Sequence, residues 1–160
     1  MKGNVKGGDI LVRIEKSVEI RAPPDRVWEM LAFDRMLEWM DEWKEVKYIS
    51  EIQTSKDKYE VGTSAHVNEK HVEFDLEITE SLENEKIVAL SKSKGRMKGP
   101  DMTLTYTLKP VEIGTRLTYT MEYEMPGGII GRTLGKLAGD KHAEKGVENS
   151  VNNLKSILEK

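Results

Sequence analysis

Apolar and polar residues alternate along most of this chain, and a period of two predicts strands. In the first predicted strand, about residues 9–21, Ile10, Val12 and Ile14 are apolar while the residues between them are charged or polar. Lys16 breaks the alternation, which indicates either a bulge or a side chain whose ammonium reaches water. The same period predicts six further strands, at about 45–53, 61–68, 72–81, 86–97, 102–109 and 115–125.

Each predicted strand has one apolar face, as in an antiparallel sheet with one solvated side. Short connections imply a meander, in which neighbours in sequence are neighbours in the sheet. Pro23-Pro24 ends the first strand and suits the start of a short helix. A second short helix is predicted over 34–43, with Asp34 as its N-cap. Its apolar stripe has helical spacing and comprises Met36, Trp39, Met40 and Trp43.

The last segment, about 128–160, is predicted to be mostly helix. Its C-terminal half repeats apolar residues at helical spacing and is expected to dock on the sheet through Val147, Val151, Leu154 and Leu158. Its N-terminal half repeats small residues every four positions, at Gly131, Gly135, Gly139 and Ala143. A glycine inside a helix costs about 0.5–1 kcal/mol relative to alanine. The stripe therefore indicates either room for a ligand between helix and sheet or close packing, and both readings stay open.

The fifth strand offers a matching surface of small residues. Lys92, Lys94 and Arg96 share one face, so the opposite face carries Ser91, Ser93, Gly95 and Met97. If the charges face water, small side chains face the glycine stripe and leave a void between them. Val88 and Leu90 lie on the lysine face, which leaves a change of parity at a bulge open.

Tyrosines and methionines fall on the inward faces of the last two strands. A buried tyrosine needs a partner for its hydroxyl, and methionine suits loosely specified apolar sites. We therefore predict an internal ligand site. For each of its residues, packing in the hydrophobic core is the alternative to ligand binding. Its predicted ligand-binding residues are Ser91, Ser93, Met97, Met102, Tyr106, Tyr119, Met121, Gly135, Gly139 and Ala143.

The composition narrows the classes of function. The 160 residues predict a leader, 1–8, and one domain, 9–160. The net charge of −3 gives no bias toward nucleic acid, and the absence of cysteine excludes thiolate chemistry. The three histidines lack metal-ligand spacing, and no motif predicts a catalytic centre, a metal site or a cofactor. With no apolar run that spans a membrane, the expected compartment is the cytoplasm.

A strand that turns through Ala22-Pro23-Pro24-Asp25-Arg26-Val27-Trp28 into a helix resembles the opening of the START-like (SRPBCC) superfamily. The nearest likeness within it is to the polyketide cyclase/dehydrase and lipid-transport family. Weaker matches are Gly62-Thr63, Glu77-Ile78-Thr79-Glu80 and Asn153-Leu154-Lys155. The resemblance implies an α+β helix-grip fold, in which a curved, seven-stranded antiparallel sheet surrounds a long C-terminal helix. Two short helices are expected between strands 1 and 2, and an apolar cavity inside.

Three functions follow as expectations. The first is binding or carriage of a hydrophobic small molecule, such as a lipid, isoprenoid, quinone or aromatic polyketide. The second is a cyclase or dehydratase-like enzyme with Tyr106 or Tyr119 as proton donor. The third is a protein-interaction module, with a protein partner at an exposed patch around Trp39 and Trp43. Residues 127–131 are either the start of the last helix or a gate over the cavity.

Overall fold

A computed structural model describes residues 10–95, 99–125 and 129–160, except the side chains of Ile10 and of residues 129–140. Seven strands form one antiparallel sheet: β1 (Ile10–Ile20), β2 (Trp43–Tyr48), β3 (Ser64–Glu69), β4 (Glu73–Leu82), β5 (Lys86–Lys94), β6 (Met102–Val111) and β7 (Gly114–Met125). Three α-helices accompany it: α1 (Pro24–Glu29), α2 (Phe33–Met36) and α3 (Ile129–Leu158). A 3-10 helix, Ser55–Tyr59, lies between β2 and β3. The α+β architecture predicted from the alternation is confirmed.

The sheet is a meander whose first strand pairs with its last. Its order is β1-β7-β6-β5-β4-β3-β2, so β1 pairs with β7 and every other strand pairs with its neighbour in sequence. The β1–β7 ladder runs without a shift from Ile10 opposite Met125 to Ile20 opposite Thr115. Lys16 therefore lies in a regular strand rather than at a bulge. Its ammonium donates to Glu144 on α3 at 2.9 Å.

Helix α3 covers the inner face of the sheet and lies against β1. The four apolar residues predicted to dock it are all buried: Val147, Val151, Leu154 and Leu158. Burial of side chains of this size contributes about 1.5–3 kcal/mol each. Lys155 adds a polar clamp, because its ammonium donates to the Glu19 carbonyl oxygen at 2.7 Å. The C-terminal half of α3 is therefore fixed firmly to the first strand.

The second helix is much shorter than predicted. It spans only Phe33–Met36, is preceded by Ala32 rather than capped by Asp34, and gives way to turns. After Met36 tighter turns replace the helix, in which the backbone N–H groups of Glu38 and Trp39 donate to the carbonyl oxygens three residues back at 3.0 and 3.1 Å. Glu42, whose φ of +67° belongs to the left-handed region, then prevents any right-handed helix from reaching Trp43. Trp43 then starts β2 opposite Glu69. The predicted apolar stripe is nevertheless buried throughout, at Met36, Trp39, Met40 and Trp43.

Two other strand boundaries differ from the sequence pattern. Strand β2 ends at Tyr48 instead of 53, and β3 begins at Ser64 instead of 61. The intervening chain is held by Asp57, whose carboxylate accepts from the backbone N–H groups of Gln53 and Thr54 at 2.9 and 3.1 Å. A local turn satisfied by a side chain thus competes with the strand ladder.

Strand β5 keeps one parity over its whole length. Ile87, Ala89 and Ser91 are buried, whereas Lys92 and Lys94 are exposed. The shift that the sequence left open lies instead in β4, between Ile78 and Glu80.

Gly114 is the tightest backbone position among the described glycines. Its φ is +152°, and a Cβ built there would meet the Ile20 carbonyl oxygen and lie 2.8 Å from the Ala22 nitrogen. Both neighbours are backbone atoms, so they cannot rotate away. We expect Gly114→Ala to lower the free energy of unfolding by about 1–3 kcal/mol, measured by urea denaturation. Gly62→Ala is the control, because Gly62 also has a positive φ but nothing within 4 Å. An equal loss in both variants would exclude the clash as the cause.

Candidate functional site

A cavity of about 350 Å³ lies between the sheet and α3. This volume falls within the range of about 300–1,000 Å³ typical of small-molecule sites. Most of its lining is apolar or aromatic. The lining residues are Met40, Asp41, Glu42, Trp43, Glu69, Val72, Glu73, Phe74, Ser91, Ser93, Gly99, Pro100, Met102, Leu104, Tyr119, Met121, Tyr123, Met125, His142, Ala143, Gly146, Val147 and Ser150.

The strand register shows how the cavity is oriented. Its outer part is reached from the β3–β4 and β5–β6 connections, where Val72 and Pro100 line it. Moving along the strands, Met102 lies opposite Tyr123 and Leu104 opposite Met121. Tyr119, two residues beyond Met121 on the same face of β7, is the lining residue farthest from these connections. We call the end of the cavity near Val72 and Pro100 the mouth and the end at Tyr119 the floor.

Stacked aromatic rings form the floor. The Tyr119 ring lies 4.6 Å from that of Tyr106, nearly parallel to it, and Trp39 meets Tyr106 edge-on at 5.9 Å. The Tyr106 hydroxyl donates to the sulfur of Met40 at 3.8 Å. The Trp39 indole N–H donates to the Met30 carbonyl oxygen at 2.8 Å. These partners leave Tyr106 and Trp39 satisfied beneath the cavity.

Tyr119 differs from both neighbours. Its hydroxyl oxygen is fully buried and has no hydrogen-bond partner among the described residues. Burial, the larger effect, raises the pKa of Tyr119, so the phenol stays protonated at neutral pH. The Tyr106 hydroxyl interacts with it strongly enough to lower this pKa in part, but the pair lies outside the geometry of a formed hydrogen bond. Leaving a buried hydroxyl unsatisfied costs about 1–3 kcal/mol. Tyr119 therefore presents an unused donor and acceptor at the cavity floor.

Helix α3 contributes a wall of small residues. Ala143, Gly146 and Ser150 line the cavity together with Val147. A Cβ built on Gly146 would meet nothing within 4 Å. The missing side chain at this position therefore opens space, and close packing does not require the glycine.

Hydrogen bonds hold this wall against the segment before β2. The backbone N–H of Asp41 donates to the Ser150 hydroxyl at 2.9 Å, and that hydroxyl donates to the Gly146 carbonyl at 2.7 Å. The side-chain amide of Asn149 donates to the Asp41 carboxylate at 3.2 Å, and that of Asn153 to the Trp39 carbonyl at 3.2 Å. The distance between α3 and this segment is thus set by polar contacts.

Three carboxylates, Asp41, Glu42 and Glu69, form what we call the acidic rim of the cavity. All three are half-buried. His142 of α3 lies 3.4 Å from the Glu42 carboxylate. Burial raises the pKa of Glu69 to about 7, helped by the charges of Glu42 and Asp41 and opposed by His142. Glu69 is therefore about half protonated near neutral pH.

The sequence-predicted site residues divide into three groups. Six line the cavity: Ser91, Ser93, Met102, Tyr119, Met121 and Ala143. Tyr106 does not line it and lies fully buried behind Tyr119. Met97 lies outside the described residues. Gly135 and Gly139 belong to α3, but the structure does not describe which way their positions face. The gate predicted at 127–131 likewise includes residues outside the described ranges.

Sequence reasoning missed the acidic rim and Gly146. Glu69 lies just beyond the third predicted strand, 61–68, yet it continues the inward parity of Ala65 and Val67, and that signal could have identified it. Asp41 and Glu42 fell inside a predicted helix, and no pattern marked Glu42 as a left-handed residue that such a helix could not include. Gly146 follows Ala143 by three residues, which is helix-face spacing.

Other candidate chemistry is absent from the described part of the chain. No group of three or more His, Asp or Glu side chains there is arranged to hold a metal ion. His66, interpreted as exposed, is half-buried on the outer face of the sheet. It contacts Asp75 at 2.7 Å and Glu73 at 3.3 Å. No helix within those residues is both long enough and apolar enough to cross a bilayer.

The raised pKa of Glu69 predicts a pH dependence of stability. Folded Glu69 releases its proton near a pKa of about 7, whereas the ordinary value is 4.5. Because the folded state binds the proton more tightly, the contribution of Glu69 to stability falls as the pH rises through this window. We expect Glu69→Gln to gain stability relative to the wild type between pH 5 and 7.5, measured by urea denaturation.

The quantity to measure is the difference in unfolding free energy between Glu69→Gln and the wild type at each pH, because another group also makes stability depend on pH. The pKa of His66 is raised, chiefly by its hydrogen bond to Asp75, so its stabilising contribution is also lost as the pH rises above 6.5. This loss is common to the wild type and Glu69→Gln. Parallel stability curves for the two proteins would exclude a titrating Glu69.

Comparison with known proteins gives a family and a fold. Residues 12–159 match the sequence profile described as "Polyketide cyclase / dehydrase and lipid transport". Among proteins with curated functions, none matches this sequence significantly.

Solved structures of similar fold come from several bacteria. Protein CV1439 from Chromobacterium violaceum is 18% identical with a TM-score of 0.66, over 92% of this chain and 98% of that one. An uncharacterised protein from Rhizobium leguminosarum is 16% identical with a TM-score of 0.69, over 94% and 96%. TTHA0849 from Thermus thermophilus is 21% identical with a TM-score of 0.66, over 93% and 97%. At these identities the likeness shows a shared helix-grip fold.

Proposed function

Because this chain belongs to the polyketide cyclase/dehydrase and lipid transport family, we propose that it binds a hydrophobic small molecule in the cavity between the sheet and α3. Family membership favours a hydrophobic ligand, and the cavity supplies a place for one. The ligand classes that fit are a lipid, an isoprenoid, a quinone or an aromatic polyketide. We further propose that the protein carries this molecule without converting it chemically, and that it does so in the cytoplasm.

The observation that carries the proposal is the lining of the cavity. Methionine and aromatic side chains converge on it from β6, β7 and the segment before β2, as at Met102, Met121 and Tyr123. Tightly packed interiors avoid voids, because atoms that face a void lose dispersion contacts. An apolar ligand would restore those contacts, and flexible methionines adapt to its shape.

The direct test is native mass spectrometry of the purified protein before and after incubation with lipid and aromatic extracts. We expect an added mass that is lost on denaturation, since the ligand is held without a covalent bond. We expect Gly146→Leu to abolish the adduct, because a side chain at this open position enters the cavity. Leucine is a better helix former than glycine by about 0.5–1 kcal/mol, so unfolding would not explain the loss.

The matched control introduces leucine at the adjacent position, outside the cavity. Lys145 is exposed on α3 and does not line the cavity, so Lys145→Leu should keep the adduct. If Gly146→Leu binds as much added mass as the wild type, the ligand does not occupy this cavity. If the wild type shows a bare mass with every extract, the proposed function loses its support.

A second candidate function is catalysis of the cyclase or dehydratase type. The unpartnered, protonated Tyr119 hydroxyl favours it, because a buried phenol can donate a hydrogen bond or a proton to a ligand carbonyl. Tyr106 is the weaker donor candidate, since its hydroxyl bonds to Met40 and it does not line the cavity. If an activity on a polyketide-like carbonyl compound is found, Tyr119→Phe should reduce it by about 10²-fold or more, and Tyr106→Phe much less. Equal rates in wild type and Tyr119→Phe would exclude Tyr119 as the donor.

The protein-interaction alternative loses the surface on which it was based. Trp39 and Trp43 are 1% and 8% exposed, respectively, so they form no apolar patch on the surface. Both contribute to the interior instead. A protein partner remains a proposal without an assigned surface.

A further inference from the structure

The two ends of the cavity differ in chemistry. The floor carries the neutral, unpartnered hydroxyl of Tyr119, fully buried at the end of an apolar space. The mouth carries the acidic rim of Asp41, Glu42 and Glu69. A ligand that fills the space between them must match both ends, so the lining contains information about the ligand's polarity.

Among the described residues that line the cavity, the charged side chains at the rim are carboxylates. No lysine or arginine occurs among those described residues, and the imidazole of His142 lies 3.4 Å from the Glu42 carboxylate. Glu73 also lines the cavity, but its carboxylate contacts His66 on the outer face of the sheet. Within the part of the chain that the structure describes, the charges that act on Glu69 come from Asp41 and Glu42 in the segment before β2 and from His142 in α3.

The charge of Glu69 acts on the floor as well as on the rim. It contributes, after burial, to the raised pKa of Tyr119, so the two groups interact electrostatically. Tyr119 is the independent sign that the site takes a polar group, because a fully buried hydroxyl without a partner is rare in folded proteins. Without Tyr119, the three carboxylates would be equally consistent with ordinary charged side chains that face solvent.

We propose that the cavity selects an apolar molecule with a hydrogen-bonding oxygen at its inner end and a protonated amine at its outer end. The oxygen accepts a hydrogen bond from Tyr119, and the ammonium pairs with Glu69 within the acidic rim. This inference rests on the proposed function and refines it. For ligands that share one apolar body, it predicts that the amine binds most tightly, the alcohol less tightly and the carboxylate least tightly.

The physical reason is the cost of ionising Glu69. In the empty cavity, burial and two like charges oppose ionisation of this carboxyl. An ammonium that enters the rim removes this cost and gains a charge-assisted hydrogen bond, which is stronger than a neutral one. A carboxylate would add a further like charge, so an anionic head group is disfavoured at this end.

The test uses three probes with the same 6-methoxynaphthalene body and, at position 2, an aminoethyl, hydroxyethyl or carboxymethyl group. The methoxy oxygen and the variable group lie at opposite ends of the rings. Affinities are measured by fluorescence titration at pH 7.5 and low salt, where charge effects are least screened. We expect the amine to bind about tenfold or more tightly than the alcohol, and the acid more weakly than the alcohol.

Glu69→Gln and Tyr119→Phe test the contributions of the two ends of the cavity separately, and Glu112→Gln is the control. Glu69→Gln should remove most of the amine's advantage and leave the affinity for the alcohol nearly unchanged. Glu112→Gln, which removes an exposed carboxylate from the β6–β7 turn at the far end of the sheet, should keep the amine's advantage. Tyr119→Phe should weaken all three methoxy probes by about threefold to tenfold and leave the corresponding probes without the methoxy group unaffected.

Proton release gives a readout that mere loss of packing would not produce. At pH 6.5 about half or more of Glu69 is protonated, and pairing with an ammonium lowers its pKa. Calorimetry in two buffers of different ionisation enthalpy should therefore detect protons released when the amine binds to the wild type. Glu69→Gln should release none, and neither should the wild type with the alcohol.

The outcomes distinguish this inference from the proposed function. If all three probes bind the wild type with equal affinity and none binds Gly146→Leu, the charge selection is overturned. The hydrophobic cavity then remains the binding site. An amine preference that persists in Glu69→Gln would overturn the rim as its origin. If no probe binds the wild type while the extracts still give an adduct that Gly146→Leu abolishes, the inference is overturned and the proposed function stands.

Discussion

The space inside this protein depends on hydrogen bonds that hold α3 to the segment before β2. Asn153 bonds to the Trp39 carbonyl, while Ser150 and Asn149 bond to the backbone and carboxylate of Asp41. Directional bonds of this kind fix a separation, whereas apolar packing alone would draw the helix toward the sheet. The helix is docked firmly at its C-terminal end through Leu154 and Leu158. Between His142 and Ser150 the helix lines the cavity instead.

Small side chains turn that space into a usable volume. Ser91 of β5 and Gly146 of α3 both line it, and neither fills it. A glycine inside a helix is destabilising, and Gly146 has no steric reason to be glycine. The protein thus gives up helix stability at a position where a larger side chain would occupy the cavity. This loss is understandable if the space is meant for a ligand.

Polarity is arranged along the cavity rather than spread through it. Tyr106 and Trp39 beneath the floor have their hydrogen-bonding groups satisfied, and Tyr119 above them does not. Between this hydroxyl and the rim the lining is mainly apolar. At the rim, Glu69 shares a half-buried space with two further carboxylates, and its pKa is raised to about 7 chiefly by burial and then by their charges. One group at each end is therefore available to recognise a ligand of defined length and polarity.

Sequence patterns predicted the strands and their inward faces, because period-two alternation reports which side of a sheet is buried. The resemblance of the motif Ala22–Trp28 indicated the family. The patterns also identified Ser91, Tyr119 and Ala143 as members of one surface, since parity and helix-face spacing are local properties. Only the tertiary structure decided that Tyr119 is unpartnered while Tyr106 bonds to Met40. It also brought Glu69 of β3 together with Asp41, Glu42 and His142. Both outcomes depend on contacts between residues distant in sequence, and on a left-handed turn at Glu42 that no local pattern announces.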